Sequence, residues 1–140
     1  MVKKILAAAG VVSILGFALP ALADTPPTPA QVACVGSAVN TRETALGTAI
    51  SALTSSVNSA YTARAAALKQ AYALTTGNSA IKKAVSGAWS VFSKTLKTAR
   101  RAWKDSRNAA WTQYGQAVQA CKASNVPAEA GKSSLEATGL

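Results

Sequence analysis

The side chains with the clearest chemical potential are basic, and they lie in one stretch of the chain, 79–122. Nine lysines and arginines stand there against a single acidic residue, Asp105. At about 100° per residue on a helix, five of the nine fall within roughly a quarter of the circumference. These five are Lys83, Lys94, Lys97, Arg101 and Lys104, with Arg100 and Arg107 at their edge. Such a surface favours polyanionic partners: nucleic acid, an acidic envelope polymer or an anionic lipid surface.

Three tryptophans flank these charges: Trp89, Trp103 and Trp111. Indole rings stack on nucleic-acid bases and enter membrane interfaces, so they suit either kind of partner. Trp103, Arg107 and Trp111 follow one another at intervals of four, which lets the guanidinium lie against one or both indoles. The plainer interpretation is a solvated helix face, with Trp103 packed in the core.

Catalytic chemistry finds little support in the residue types. The chain has no histidine, and its five carboxylates are scattered. Only Glu43 and Asp105 fall in helical stretches, and a hairpin would hold them ~10 Å apart along its axis. General acid–base work on one bond needs a closer pair. With no glycine-rich phosphate loop either, we predict a non-enzymatic protein that has no metal, no cofactor and no small-molecule substrate.

The beginning of the chain predicts export. Residues 1–23 form a signal-peptide pattern: Lys3 and Lys4, an apolar run broken at Pro20, and the cleavage site Ala21-Leu22-Ala23. The run is shorter than the ~20 residues that a membrane-spanning helix needs. We therefore expect a periplasmic or extracellular protein. In that compartment the only two cysteines, Cys34 and Cys121, predict a disulfide.

Two long helices would position these groups. Alanine-rich, proline-free segments lie on either side of 75–79, and apolar residues recur in both at intervals of eleven. One row is Val39, Ile50, Tyr61 and Tyr72; another is Ile81, Phe92, Trp103 and Tyr114. Eleven residues in three turns is about 3.67 per turn, so each row stays on one face of its helix. Arg42, Arg64 and Arg107 interrupt such rows; they would extend from the seam edge, fix the register or contact another subunit.

The cysteines support an antiparallel turn. Cys34 lies 43 residues before Gly77, and Cys121 lies 44 after it. Gly77 and Asn78 suit the end of one helix, and Asn78 or Ser79 suits the cap of the next. The predicted fold is therefore all-α: a two-helix antiparallel hairpin over 31–122, turning at 75–79 and closed by one disulfide. Poor helix formers in 51–59 leave a broken first helix as the alternative.

The flanking segments and the uncovered surface complete the prediction. Proline-rich 24–30 predicts a linker, and 123–140 predicts a mobile C-terminal tail. Because a two-helix unit has no second layer, its leftover apolar surface predicts self-association into homo-oligomers. The leading hypothesis is polyanion binding through the second helix. The alternatives are a self-assembling structural subunit of the envelope, a holdase chaperone and a membrane-surface protein.

In charge, length and hairpin architecture the chain resembles the periplasmic holdase chaperones of the Skp type. That resemblance implies binding of unfolded clients in the periplasm. It rests on no shared motif, so no residue role is carried over from it.

Overall fold

The computed structural model describes residues 26–75, 77–123, 126 and 129. Two helices, α1 (Pro29–Tyr72) and α2 (Asn78–Ala120), pack against each other as an antiparallel hairpin. The described part of the chain contains no strand, so the predicted all-α hairpin is confirmed. With 44 residues, α1 makes a rod of roughly 65 Å. Neither helix is long and apolar enough to cross a membrane. The predicted signal peptide, 1–23, lies outside the described residues.

A capping box begins α1. The Thr28 hydroxyl accepts from the backbone N–H of Gln31 at 3.2 Å, and Gln31 Oε1 accepts from the backbone N–H of Thr28 at 2.8 Å. Pro29 takes the first helical position, where its missing N–H leaves no hydrogen bond unmade. Gln31 Nε2 also donates to the Lys122 carbonyl at 2.7 Å. This bond ties the start of α1 to the chain just beyond α2.

The first helix runs without interruption through 51–59, so the alternative of a broken helix is wrong. Hydroxyl side chains in and around this stretch donate to the carbonyl four residues earlier instead of leading the backbone out of the helix. Ser51 donates to Gly47 at 3.0 Å, and Thr62 donates to Asn58 at 3.1 Å. Packing of the neighbouring stripe against α2 supplies the stability that the local propensity lacks.

The turn differs in detail from the prediction. Helix α1 ends at Tyr72, and its C-cap, Ala73, has a right-handed conformation. Gly77 has φ +101° and ψ 162°, but it is the N-cap of α2 and not the stop of α1. No side chain caps α2, so the predicted capping by Asn78 or Ser79 is wrong. The chain reverses through the backbone of Gly77, in a region open almost only to glycine.

The seam between the helices is built largely from alanine, with a few large side chains between. Leu46, Trp103 and Ala110 form its central cluster, and Leu53 packs against them. Small residues at these positions let the two backbones approach closely. At the open end Cys34 and Cys121 form the predicted disulfide, with their Cα atoms 5.8 Å apart.

Candidate functional site

Five basic side chains of α2 lie along its outer face. We define the basic ridge as Lys83, Lys94, Lys97, Arg101 and Lys104, all of which are exposed. It lies opposite the buried stripe of α2, which includes Phe92, Ala99 and Trp103. Beside the ridge Arg100 is exposed and Arg107 is half-buried. One rigid helix therefore carries all seven predicted basic residues.

The positive charge of this ridge is not neutralised within the described residues. Both ion pairs found there belong to Arg42, which binds Glu43 and Glu129. Asp105, the only acidic residue on α2, is exposed and forms no ion pair with another described residue. Because none of the described acidic groups pairs with a ridge cation, the ridge presents its charge directly to solvent.

Arg42 is a buried structural cation. Its side chain is 5% exposed, its Nη2 lies 2.6 Å from Glu43 Oε1, and its Nη1 lies 2.6 Å from Glu129 Oε2. The guanidinium also lies over the rings of Trp111 and Tyr114, at 4.3 and 4.4 Å from their centroids. Burial acts to lower the pKa of Arg42, but hydrogen bonds and charges from the two glutamates outweigh it, so the pKa is raised. Arg42 therefore remains charged, and its partners lie within the chain.

Arg64 repeats this arrangement nearer the turn. Its guanidinium lies over Phe92, Trp89 and Tyr61, at 4.2, 4.4 and 4.7 Å from the ring centroids. Arg42 and Arg64 are 22 residues apart, and so are the two tryptophans under them. The eleven-residue rows are visible in the sequence. The pairing of Arg42 and Arg64 with aromatic rings of α2 is visible only once the two helices are packed together.

The three predicted tryptophans have different environments. Trp103 is buried in the central cluster, in agreement with the core interpretation. Trp111 is half-buried beneath Arg42, whereas Trp89 is 49% exposed. The guanidinium of Arg107 donates to Asn108 Oδ1, at 2.9 Å from Nη2, while the cation over Trp111 comes from α1. Trp89 is thus the most exposed of the three tryptophans.

Two of the open grooves among the described residues bear on ligand binding. One, of about 530 Å³, runs along α2 from Trp89 to Arg100 past Leu96 and Lys97. The other, of about 430 Å³, lies between the helices beside the disulfide. Its cation is Arg42, which already holds two carboxylates. In the part of the chain that the structure describes, no three His, Cys, Asp or Glu side chains converge on one point.

An apolar row remains uncovered on α1. Ile50, Tyr61 and Tyr72 are 46, 50 and 70% exposed, at intervals of eleven residues. Tyr61 also meets the edge of Phe92, with ring centroids 4.9 Å apart, which places this row on the same broad side of the hairpin as Trp89. Rows of large exposed apolar side chains mark contact surfaces more often than isolated ones do.

Compared with known proteins, the chain matches no protein-family model, no curated protein and no solved structure. Its function has to be inferred from its own residues.

Proposed function

We propose that this is an exported, non-enzymatic binding protein of the cell envelope or exterior, and that it binds polyanions through the basic ridge of α2. The observation that carries the proposal is the unpaired charge. Five exposed cations stand in line on one helix, and the acidic groups of the described residues either bind Arg42 or form no ion pair. A rigid line of like charge attracts a partner that carries repeated negative charge.

The proposal is tested by salt-dependent binding. If the ridge makes about 4–6 phosphate contacts on duplex DNA, the logarithm of affinity should fall with the logarithm of salt concentration with a slope of roughly −4 to −5. Heparin binding should weaken with salt as well, because it too releases counterions. Titration of the oxidised protein against both ligands at several salt concentrations measures these slopes.

A matched pair of variants locates the site. Lys94→Gln with Lys104→Gln removes two ridge charges, whereas Lys69→Gln with Lys122→Gln removes two exposed charges outside the ridge. The ridge variant should bind several-fold more weakly and lose about 2 from the magnitude of its slope on duplex DNA. The control variant should change little. Equal losses in both variants, or binding that does not depend on salt, would contradict a ridge site.

A second candidate, self-assembly into a structural unit, is favoured by the uncovered row of Ile50, Tyr61 and Tyr72. Light scattering of the oxidised protein over a range of concentrations should then detect a defined oligomer. Ile50→Ser with Tyr72→Ser should dissociate that oligomer. Val91→Ser, at a site that is 63% exposed but lies off the row, should not. A strict monomer at high concentration would remove this candidate and leave polyanion binding untouched.

A further inference from the structure

We propose that the groove beginning at Trp89 receives an unpaired base of a single-stranded nucleic acid, while Lys97 and Arg100 bind phosphates further along the same strand. This inference rests on the proposed polyanion-binding function and specifies which polyanion the surface prefers. The groove combines an aromatic ring, an apolar floor of Phe92 and Leu96, and two cations within about 530 Å³.

Trp89 is held ready for stacking. The guanidinium of Arg64 lies 4.4 Å from its ring centroid, and Phe92 meets it in a T-shaped contact with centroids 5.9 Å apart. About half of its surface nevertheless stays open, at 49% exposure. A ring fixed by neighbours loses little freedom when a ligand stacks on it, so more of the stacking energy appears as affinity.

The charges of the groove complement a nucleotide strand. Lys97 and Arg100 line the groove with Trp89, and both are exposed. They lie about 12 and 17 Å from Trp89 along the helix axis, at the usual rise per residue. Neither forms an ion pair within the described residues. A strand whose base stacks on Trp89 therefore meets unpaired positive charge as its backbone continues along α2.

Single strands fit this groove better than the other polyanions do. In a duplex the base faces are stacked on one another and are not available to an aromatic side chain. A membrane would need an exposed apolar stripe opposite the charged one. That stripe of α2, which includes Phe92, Trp103 and Tyr114, is buried against α1.

The experiment compares three ligands that differ in their bases. The oxidised protein is titrated with a fluorescent single-stranded DNA oligonucleotide, an abasic strand of the same length, and heparin. Trp89→Ala should weaken binding of the oligonucleotide by about tenfold and leave the abasic strand and heparin within about twofold of wild type. Trp89→Phe keeps a ring and should recover most of the affinity, which separates stacking from any loss of folding.

Tyr72→Ala supplies the control, since this ring is 70% exposed but lies outside the groove. It should leave all three affinities unchanged. If Trp89→Ala weakens the three ligands equally or not at all, base stacking is wrong while polyanion binding stands. If none of the ligands binds wild type, both proposals fail. Displacement of the oligonucleotide by anionic but not neutral vesicles, with vesicle binding lost in Trp89→Ala, would replace the nucleic acid by a membrane.

Discussion

Arg42 and Arg64 fix the register of the two helices, which the apolar rows alone would leave ambiguous. A pattern that repeats every eleven residues can slide by one repeat and still place apolar side chains against each other. In the observed register Arg42 lies over Trp111 and Tyr114. A slide of one repeat would bring it towards Arg100, which stands eleven residues before Trp111. Like charges would then meet at the seam, so the arginines disfavour the slipped pairing.

Replacing the buried arginine should therefore cost stability. Arg42→Met removes two cation–π contacts and both ion pairs, and we expect the free energy of unfolding to fall by about 2 kcal/mol. The ion pairs supply the smaller share, because Glu43 and Glu129 are 57 and 40% exposed. Denaturant titration by circular dichroism measures the change. Arg100→Met, at an exposed site, should stay within about 0.5 kcal/mol of wild type.

The pH dependence of this effect has a defined sign. The pKa of Arg42 is raised in the folded protein. Its contribution to the free energy of unfolding is therefore complete below the pKa of an unfolded arginine. That contribution is lost only as the pH rises through the folded pKa. The difference between wild type and Arg42→Met should accordingly not shrink as the pH is raised from neutral to about 10. A difference that disappears in this range would contradict a charged, partnered Arg42.

At the scale of the helices, the sequence predicts the hairpin and its closure well and the local details less well. Eleven-residue rows and the two cysteines define two helices and their direction. If Cys34 faces Cys121, Leu46 should face about position 109, and in the structure it clusters with Trp103 and Ala110. Side chains on a helix lean towards its N-terminus, so a count of residues does not give the contact. The capping box of Thr28 and Gln31 lies outside the prediction, although threonine followed three residues later by glutamine is its sequence signal.

Replacing a glycine by alanine should lower stability at the turn and raise it inside α2. Gly77 has φ +101°, whereas Gly87 lies inside α2, exposed, with open space where a Cβ would stand. Gly77→Ala should destabilise the protein by about 1–3 kcal/mol, because alanine is strained in this conformation. Gly87→Ala should stabilise it by about 0.5–1 kcal/mol. Thermal unfolding of both variants measures the signs, and stabilisation by Gly77→Ala would show that the turn does not need glycine.

At the scale of the whole molecule, the basic ridge and the uncovered apolar row lie on different helices. The basic ridge faces away from the seam, and the uncovered row of α1 lies on a broad side of the hairpin together with Trp89. At the open end Ala123 is buried and Glu129 binds Arg42. Apart from 123, 126 and 129, the predicted mobile tail of 123–140 lies outside the described residues. Ridge and row can therefore be altered independently, which makes the proposed functions separable by mutation.

The hairpin has a thin core, so the disulfide that closes it should supply much of its stability. Most of the buried apolar residues are alanines, which remove little surface from water. The disulfide joins positions 87 residues apart, and closing a loop of that length stabilises by about 4–5 kcal/mol in the chain-entropy model. Cys34→Ser with Cys121→Ser should lower the free energy of unfolding by roughly this amount.

Thermal and denaturant unfolding with and without reductant provide the measurement. Reduced wild type should match the double serine variant, and the variant itself should not respond to reductant. Because an isolated helical hairpin with an alanine seam gains little from burial, a loss of this size would leave a fraction of the chain unfolded at ordinary temperature. Unchanged stability after reduction would mean that the arginine–aromatic contacts and the alanine seam hold the hairpin closed by themselves. The ridge on α2 would then stay presented in a reducing environment as well.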